Sequence, residues 1–227
     1  KKLVFWELEM TKSGSTEMME VLQMQKAEAN TQFFKFISKN YADWIAEKSP
    51  APLLSHKVFK EKVAPFVSNE KPTFLVVIDN LRYDQWKAIQ HILSDRYRIA
   101  DEDLFYSLLP TATQYCRNAL FAGLLPIDIE QKFPNEWKND DDEGGKNLNE
   151  DVFLYFQLKS LGLDHLKTQY IKITNNENAK NLEDNIHNYL KNDLTVIVYN
   201  FVDMLSHART EMEVLKELAG DETSYRS

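Results

Sequence analysis

Three short segments of this chain carry side chains that could do chemistry together. In Leu75-Val76-Val77-Ile78-Asp79-Asn80-Leu81-Arg82, an apolar run delivers a carboxylate, Asp79, to its carboxyl end. Open α/β sheets bind their ligands at that end of their strands. In Pro110-Thr111-Ala112-Thr113-Gln114-Tyr115-Cys116-Arg117-Asn118, Thr113 falls where a helix starts. Backbone N–H groups there form an anion site. A hydroxyl beside them could attack a phosphorus atom whose oxygens the helix end holds. Its pKa is too high for unaided attack, so a metal would have to acidify it. Arg117, one turn on, could grip a phosphate oxygen. In Asp203-Met204-Leu205-Ser206-His207, a carboxylate and an imidazole stand one helical turn apart. On one helix face they could share a metal.

Taken singly, each segment has a plainer reading. Asp79 could cap the next helix or pair with Arg82. Thr113 could be an ordinary helix N-cap. Asp203 could cap a helix, with His207 a polar residue on it. His56, His91, His165 and His187 lie in polar surroundings and read as surface. Cys116, the only cysteine, reads as a small core residue.

The elements that must position these residues follow from periodicity. Residues 74–78 and 194–199 are continuous β-branched and apolar runs, the pattern of buried parallel strands. Residues 169–173 form another strand and 98–105 a weaker one. Helices are expected over 83–93, 113–121 (closed by Gly123), 151–161, 177–190 and 204–219, with an acidic loop over 134–149. Strands alternating with helices imply parallel βαβ units. Residues 1–72 read as helical. Met18, Met19, Val21, Leu22, Phe33, Phe34, Phe36 and Ile37 recur near helical spacing over 16–38. A short helix at Trp44-Ile45 and another over 56–66, stopped by Pro65, follow. The division expected is 1–72, a helical linker, and 73–227, an α/β domain.

Charge narrows the function classes. The net charge is −8. Residues 1–72 carry 11 Lys and 9 acids, so the acidity belongs to 73–227, which also holds all six arginines. A broad basic nucleic-acid surface is therefore excluded. An anionic substrate would need a few arginines or metal ions. A single cysteine forms no intrachain disulfide, which fits a reducing compartment. No apolar stretch approaches the ~20 residues of a membrane span. A cytoplasmic protein without membrane insertion is expected.

The three segments, in this order, resemble the alkaline phosphatase superfamily. Its nucleotide pyrophosphatase/phosphodiesterase branch has Asp-Gly-x-Arg after the first strand, where this chain has Asp79-Asn80-Leu81-Arg82. It has Pro-Thr-x-Thr and then Gly ten residues on, matched by Pro110-Thr111-Ala112-Thr113 and Gly123. It has Asp-x-x-x-His, matched by Asp203 and His207. The longer strings IDNLRYDQW, LLPTATQYCRNALFAG and VIVYNFVDMLSHART are similar to the PglZ domain of PorX-like response regulators.

The resemblance implies an alkaline-phosphatase-like, mostly parallel sheet flanked by helices, preceded by a helical linker. It implies two zinc ions, one on Asp79 and Thr113 and the other on Asp203 and His207. Thr113 would be the nucleophile, attacking phosphorus to leave a phosphothreonine that water releases. Arg82, Arg117 and Asn118 would bind substrate. Nucleotide or oligonucleotide phosphodiesters are the implied substrates. The implied role is control of type IX secretion, with a sigma factor and a secretion-system membrane protein as partners. The family closes its site with Asp-His-Gly and a further His, but no histidine follows His207. With Lys1-Lys2-Leu3 at the start, this predicts a fragment of a longer protein, weak in zinc binding by itself. The rival expectation is a signalling scaffold that docks or forms a homodimer through residues 16–38. A receiver-like role for Asp79 is disfavoured, because no acidic pair precedes its strand.

Overall fold

A computed structural model describes residues 1–13, 16–139, 141–200 and 202–204. In chain order its elements are α1 (Lys2–Ser13), α2 (Thr16–Ile45), α3 (Ser55–Val58), β1 (Thr73–Ile78), α4 (Tyr83–Ser94), α5 (Thr113–Ala122), α6 (Pro126–Lys132), α7 (Glu150–Ser160), β2 (Thr168–Ile173), α8 (Asn176–Asp184), α9 (Ile186–Tyr189) and β3 (Leu194–Tyr199). They form two compact units. One combines Lys1–Pro52 with Leu81–Glu102; the other combines Leu53–Asn80 with the described residues from Asp103 on.

The second unit is built on a parallel sheet of order β1-β3-β2. The sequence of β3, Leu-Thr-Val-Ile-Val-Tyr, suits the centre. Its β-branched side chains pack on both faces, and residues 194–198 are all buried. The register pairs Ile78 with Tyr199 and Tyr199 with Ile173, so the three carboxyl ends finish level. On this sheet α5 and α7 pack against each other. Phe121, Phe153, Leu154 and Leu158 are fully buried between them and their neighbours. Phe121 meets Tyr170 of β2 edge to face, and Phe133 meets Phe153 in the same way.

The α/β class and the three strong strands are as the sequence predicts. Three local expectations are corrected. The weak strand over 98–105 is absent: only Tyr106 makes a bridge, to Leu54. Its polar residues Asp101, Glu102 and Asp103 leave no apolar face to bury. The helix over 177–190 is broken at Asn185, giving α8 and α9. The segment 56–66 is not one helix. It tightens and loosens as α3, a π turn at Phe59–Val63 and a 3-10 turn at Ala64–Phe66 that accommodates Pro65. Helix α6 was not anticipated, although Pro126 at its first position is a standard start signal. The helix expected over 204–219 lies outside the described residues except for Met204.

In the first unit, α2 runs unbroken to Ile45 and absorbs the short helix expected at Trp44. It packs on α1, with Leu22 and Trp44 buried and Trp44 edge to face with Phe36. Several of its other apolar side chains stay exposed to solvent. Met18, Val21, Met24, Phe33 and Phe34 are exposed, Phe34 at 71%. After α4 the chain is fastened by Glu102, which accepts from Lys87 Nζ at 2.5 Å, Tyr83 Oη at 2.9 Å and Trp86 Nε1 at 3.4 Å. Those donors, Lys87 first, hold its carboxyl at about 2. No described helix is long and apolar enough to cross a membrane.

Candidate active site

The level strand ends place Asp79 and Asn200 side by side. The ladder runs one residue past the strands on each side of β3. Asp79 N donates to Tyr199 O at 3.0 Å, and Asn200 N donates to Ile173 O at 2.9 Å. The backbone then turns sharply. Asn80 adopts φ 61°, the left-handed region that Gly and Asn accept most readily. This is the position where the resemblance expects Gly. After β3, residues 202–204 are helical, and Met204 N donates to Asn200 O at 3.0 Å, so Asp203 lies in the first turn beyond the sheet edge.

Helix α5 begins with Ala112 at the extended cap position and Thr113 as its first helical residue. Thr113 is therefore not the N-cap, and its hydroxyl is not spent on capping. At the other end Gly123 takes φ 68° as the left-handed terminator. Here a side chain is excluded on two grounds. A Cβ would be strained by φ, and it would lie 2.9 Å from Cδ and 3.2 Å from Cγ of Gln157, besides overlapping its terminal amide.

Arg117 sits one turn below Thr113 on the same face. It is 6% exposed, and its guanidinium links the carboxyl ends of β1 and β3 to α7. Nη1 donates to Asp79 Oδ2 at 2.7 Å and to Asn200 Oδ1 at 2.9 Å. Its other edge is held by Glu150, through Nε to Oε1 and Nη2 to Oε2. Glu150, the first residue of α7, is fully buried. Its Oε2 also accepts from Tyr170 Oη at 2.7 Å and Lys172 Nζ at 3.2 Å. Burial raises the Tyr170 hydroxyl pKa strongly, and the Glu150 carboxylate adds to the shift. Asp79's carboxyl is also raised, first by burial; Arg117 lowers it, and Asp203 and Glu150 raise it again.

These bonds bear on two of the expected substrate contacts. Arg117 does not point its fork at a phosphate site; both edges are taken by protein carboxylates. Asn118 is fully buried, and both ends of its amide are used on the loop before α7. Its Nδ2 donates to Lys146 O at 3.2 Å, and its Oδ1 accepts from Asn147 Nδ2 at 2.9 Å. As placed, Arg117 and Asn118 are both engaged within the protein. Arg82 belongs to the other unit, where its guanidinium takes Asp84 at 3.0 Å through two bonds. The Asp79–Arg82 pair considered from the sequence is thus replaced by Asp79–Arg117. His207 lies outside the described residues. The sequence reading missed Glu150, Asn200, Tyr170 and Lys172. The only local signal was an acid at the first turn of a helix, which ordinarily reads as a dipole partner.

Among the described residues, no three His, Cys, Asp or Glu side chains form a metal cluster. The donors present still suit a cation. Asp203 is close enough to Asp79 for its charge to be felt, and a divalent ion relieves repulsion between two such carboxylates.

The family model for the BREX system PglZ alkaline phosphatase-like domain matches residues 58–226. The chain belongs to the PglZ family. A second model, the PorX response regulator linker domain, matches residues 1–45. No curated protein matches the chain. The PglZ match covers the segments of Asp79, Thr113 and Asp203 together, and its alkaline phosphatase-like character indicates phosphoesterase chemistry in general. The linker match covers α1 and α2, in the order expected of a PorX-like PglZ protein.

Proposed function

We propose that the PglZ domain is a zinc-dependent phosphodiesterase in the intact protein, acting on nucleotide or oligonucleotide phosphodiesters with Thr113 as nucleophile. The observation that carries this reading is the Asp79–Arg117 pair. It ties the carboxyl end of β1 to the first turns of α5, whose N-terminal residue is Thr113. Asp79, Thr113, Asp203 and His207 are the proposed ligands for two ions. Bound zinc supplies a Lewis acid that lowers a hydroxyl pKa and offsets charge on phosphoryl oxygens. The first-turn N–H groups of α5 face the helix start, where they can bind those oxygens. The Thr113 Oγ–phosphorus bond forms as the bond to the leaving alcohol oxygen breaks. Water then attacks the same phosphorus, breaking its bond to Thr113 Oγ and releasing the Thr113 hydroxyl and a phosphomonoester. Arg117, held by Glu150, keeps the Asp79 carboxylate in place.

The cellular reading is a cytoplasmic response regulator acting on type IX secretion, with a sigma factor and a membrane component of the secretion system as partners. The PorX linker match supports it. The test is turnover of bis(p-nitrophenyl) phosphate by the full-length protein. Thr113→Ala should abolish it while the circular dichroism spectrum is unchanged; retained turnover refutes the nucleophile. Turnover that survives exhaustive chelation refutes the metal.

A second reading has its own observation. The exposed Met18, Val21, Met24, Phe33 and Phe34 of α2 suit an apolar surface that docks on a second copy, making the chain a signalling scaffold. Light scattering of wild type and Phe34→Glu would separate the two: a dimer lost in Phe34→Glu with no detectable phosphodiesterase activity supports the scaffold.

A further inference from the structure

We infer that Glu150 is a positioning residue for the Asp79 metal-binding carboxylate, acting through Arg117. The inference rests on the metal-dependent reading above and names a residue outside its ligand set. An arginine bonded to a metal-binding carboxylate is at first sight a liability. At 2.7 Å its positive charge competes with any cation for Asp79, and it repels that cation. The structure removes the liability from behind. Glu150 grips the opposite edge of the same guanidinium with both oxygens, in the bidentate arrangement that fixes the guanidinium plane as well as its charge. Glu150, which Arg117 shares with Lys172, thus offsets part of the Arg117 charge, and Asp79 keeps more of its own for a cation. Orientation follows from the same bonds. With Nε and Nη2 held by Glu150, Nη1 is left to aim at Asp79 and Asn200. It engages Oδ2 of Asp79 alone.

Glu150 is itself locked. Tyr170 and Lys172 lie two residues apart on β2 and both bond Oε2. A fully buried carboxylate with this many donors cannot drift, so the register of β2 is transmitted through Glu150 and Arg117 to Asp79. Partners behind metal ligands commonly set affinity as strongly as this, by 10–100-fold.

The test measures zinc affinity of the full-length protein by competition with a chromophoric chelator, alongside urea denaturation. Glu150→Gln keeps the shape and removes the charge. It should weaken zinc binding about 10-fold or more. Gln157→Ala removes the hydrogen bonds that hold the last turn of α5 and no bond to Glu150, Arg117 or Asp79; it should lower stability and leave zinc affinity unchanged. Arg117→Lys, which keeps a charge but loses the two-edged fork, should also weaken zinc binding and serves if Glu150→Gln does not fold. Wild type that binds zinc with affinity unchanged in Glu150→Gln or, where that variant does not fold, in Arg117→Lys overturns the inference alone. An equal loss of affinity in Gln157→Ala overturns it as well, since general loosening would then explain the effect. Wild type that binds no zinc overturns the metal reading and this inference with it.

Discussion

Replacing Gly123 by Ala adds one methyl group at the far end of the helix that begins with Thr113, and its cost can be worked out in parts. The residue terminates α5 at φ 68°, where an L side chain costs about 1–2 kcal/mol. The added Cβ also overlaps the amide of Gln157, with Cδ at 2.9 Å and Cγ at 3.2 Å. A flexible side chain would ordinarily swing aside. Gln157 is 3% exposed, and with its amide assigned in the orientation its neighbours require, the nitrogen donates to Leu120 O at 3.1 Å and Phe121 O at 2.9 Å. Those are two of the carbonyls a helix end leaves without partners. Moving Gln157 forfeits both bonds, at about 0.5–1.5 kcal/mol each. The total for Gly123→Ala is therefore roughly 2–5 kcal/mol, against about 0.4–1 kcal/mol gained wherever Gly→Ala is sterically free. Urea denaturation of Gly123→Ala, Gln157→Ala and the double variant separates the terms. The φ cost should persist in the double variant, whereas the collision should vanish, giving a coupling of about 1–3 kcal/mol. A Gly123→Ala cost below about 1 kcal/mol, or additive single effects, would refute the reasoning.

Asn80→Ala should cost about 1–2 kcal/mol in the same assay, because Asn tolerates φ 61° better than Ala does, while Asn80→Gly should be close to neutral. Glu102 should titrate near pH 2 in a carboxyl NMR experiment, and Lys87→Met should return it toward the ordinary range. Its folded pKa is depressed, so its contribution to stability is full above the unfolded value and is lost as pH falls through about 2. A midpoint near 4.5 would refute the clasp. Thr113→Ala should abolish phosphodiester turnover, and Glu150→Gln should weaken zinc binding, each measured as described above.

The fold was legible where burial is two-sided. Residues 194–199 and 74–78 announce themselves because a strand covered on both faces has no polar register to confuse the pattern. Gly123 was legible too, as the end of a helix, although its collision with Gln157 was not: that partner lies in α7. What failed was the reading of marginal segments. The weak strand over 98–105 had the hydrophobicity of a strand at its ends only, and a single acid, Glu102, claimed the middle for a clasp to Lys87 and Tyr83. The break at Asn185 followed from local hydrogen bonding, since its Nδ2 donates back to Asn181 O at 2.9 Å.

The site was legible in its chemistry and not in its wiring. Asp79 is marked by its strand, and Thr113 by its helix start, because both are set by local backbone pattern. Arg117 was visible as well, but spacing along α5 says only that it shares a face with Thr113. It cannot say what stands opposite. Glu150 lies 33 residues away behind an acidic loop, and nothing in its neighbourhood distinguishes a buried carboxylate from a solvent-facing one at a helix start. Once it is in place, the guanidinium's preference is decided by charge. A fully buried carboxylate, Glu150, and a part-buried one, Asp79, outcompete a transient phosphate, and breaking a buried pair commonly costs about 3–5 kcal/mol. Arg117 therefore belongs to the scaffold that presents Asp79. In the proposed site, the positive charge that meets a phosphodiester is supplied by the ions that Asp79 and Asp203 are proposed to hold.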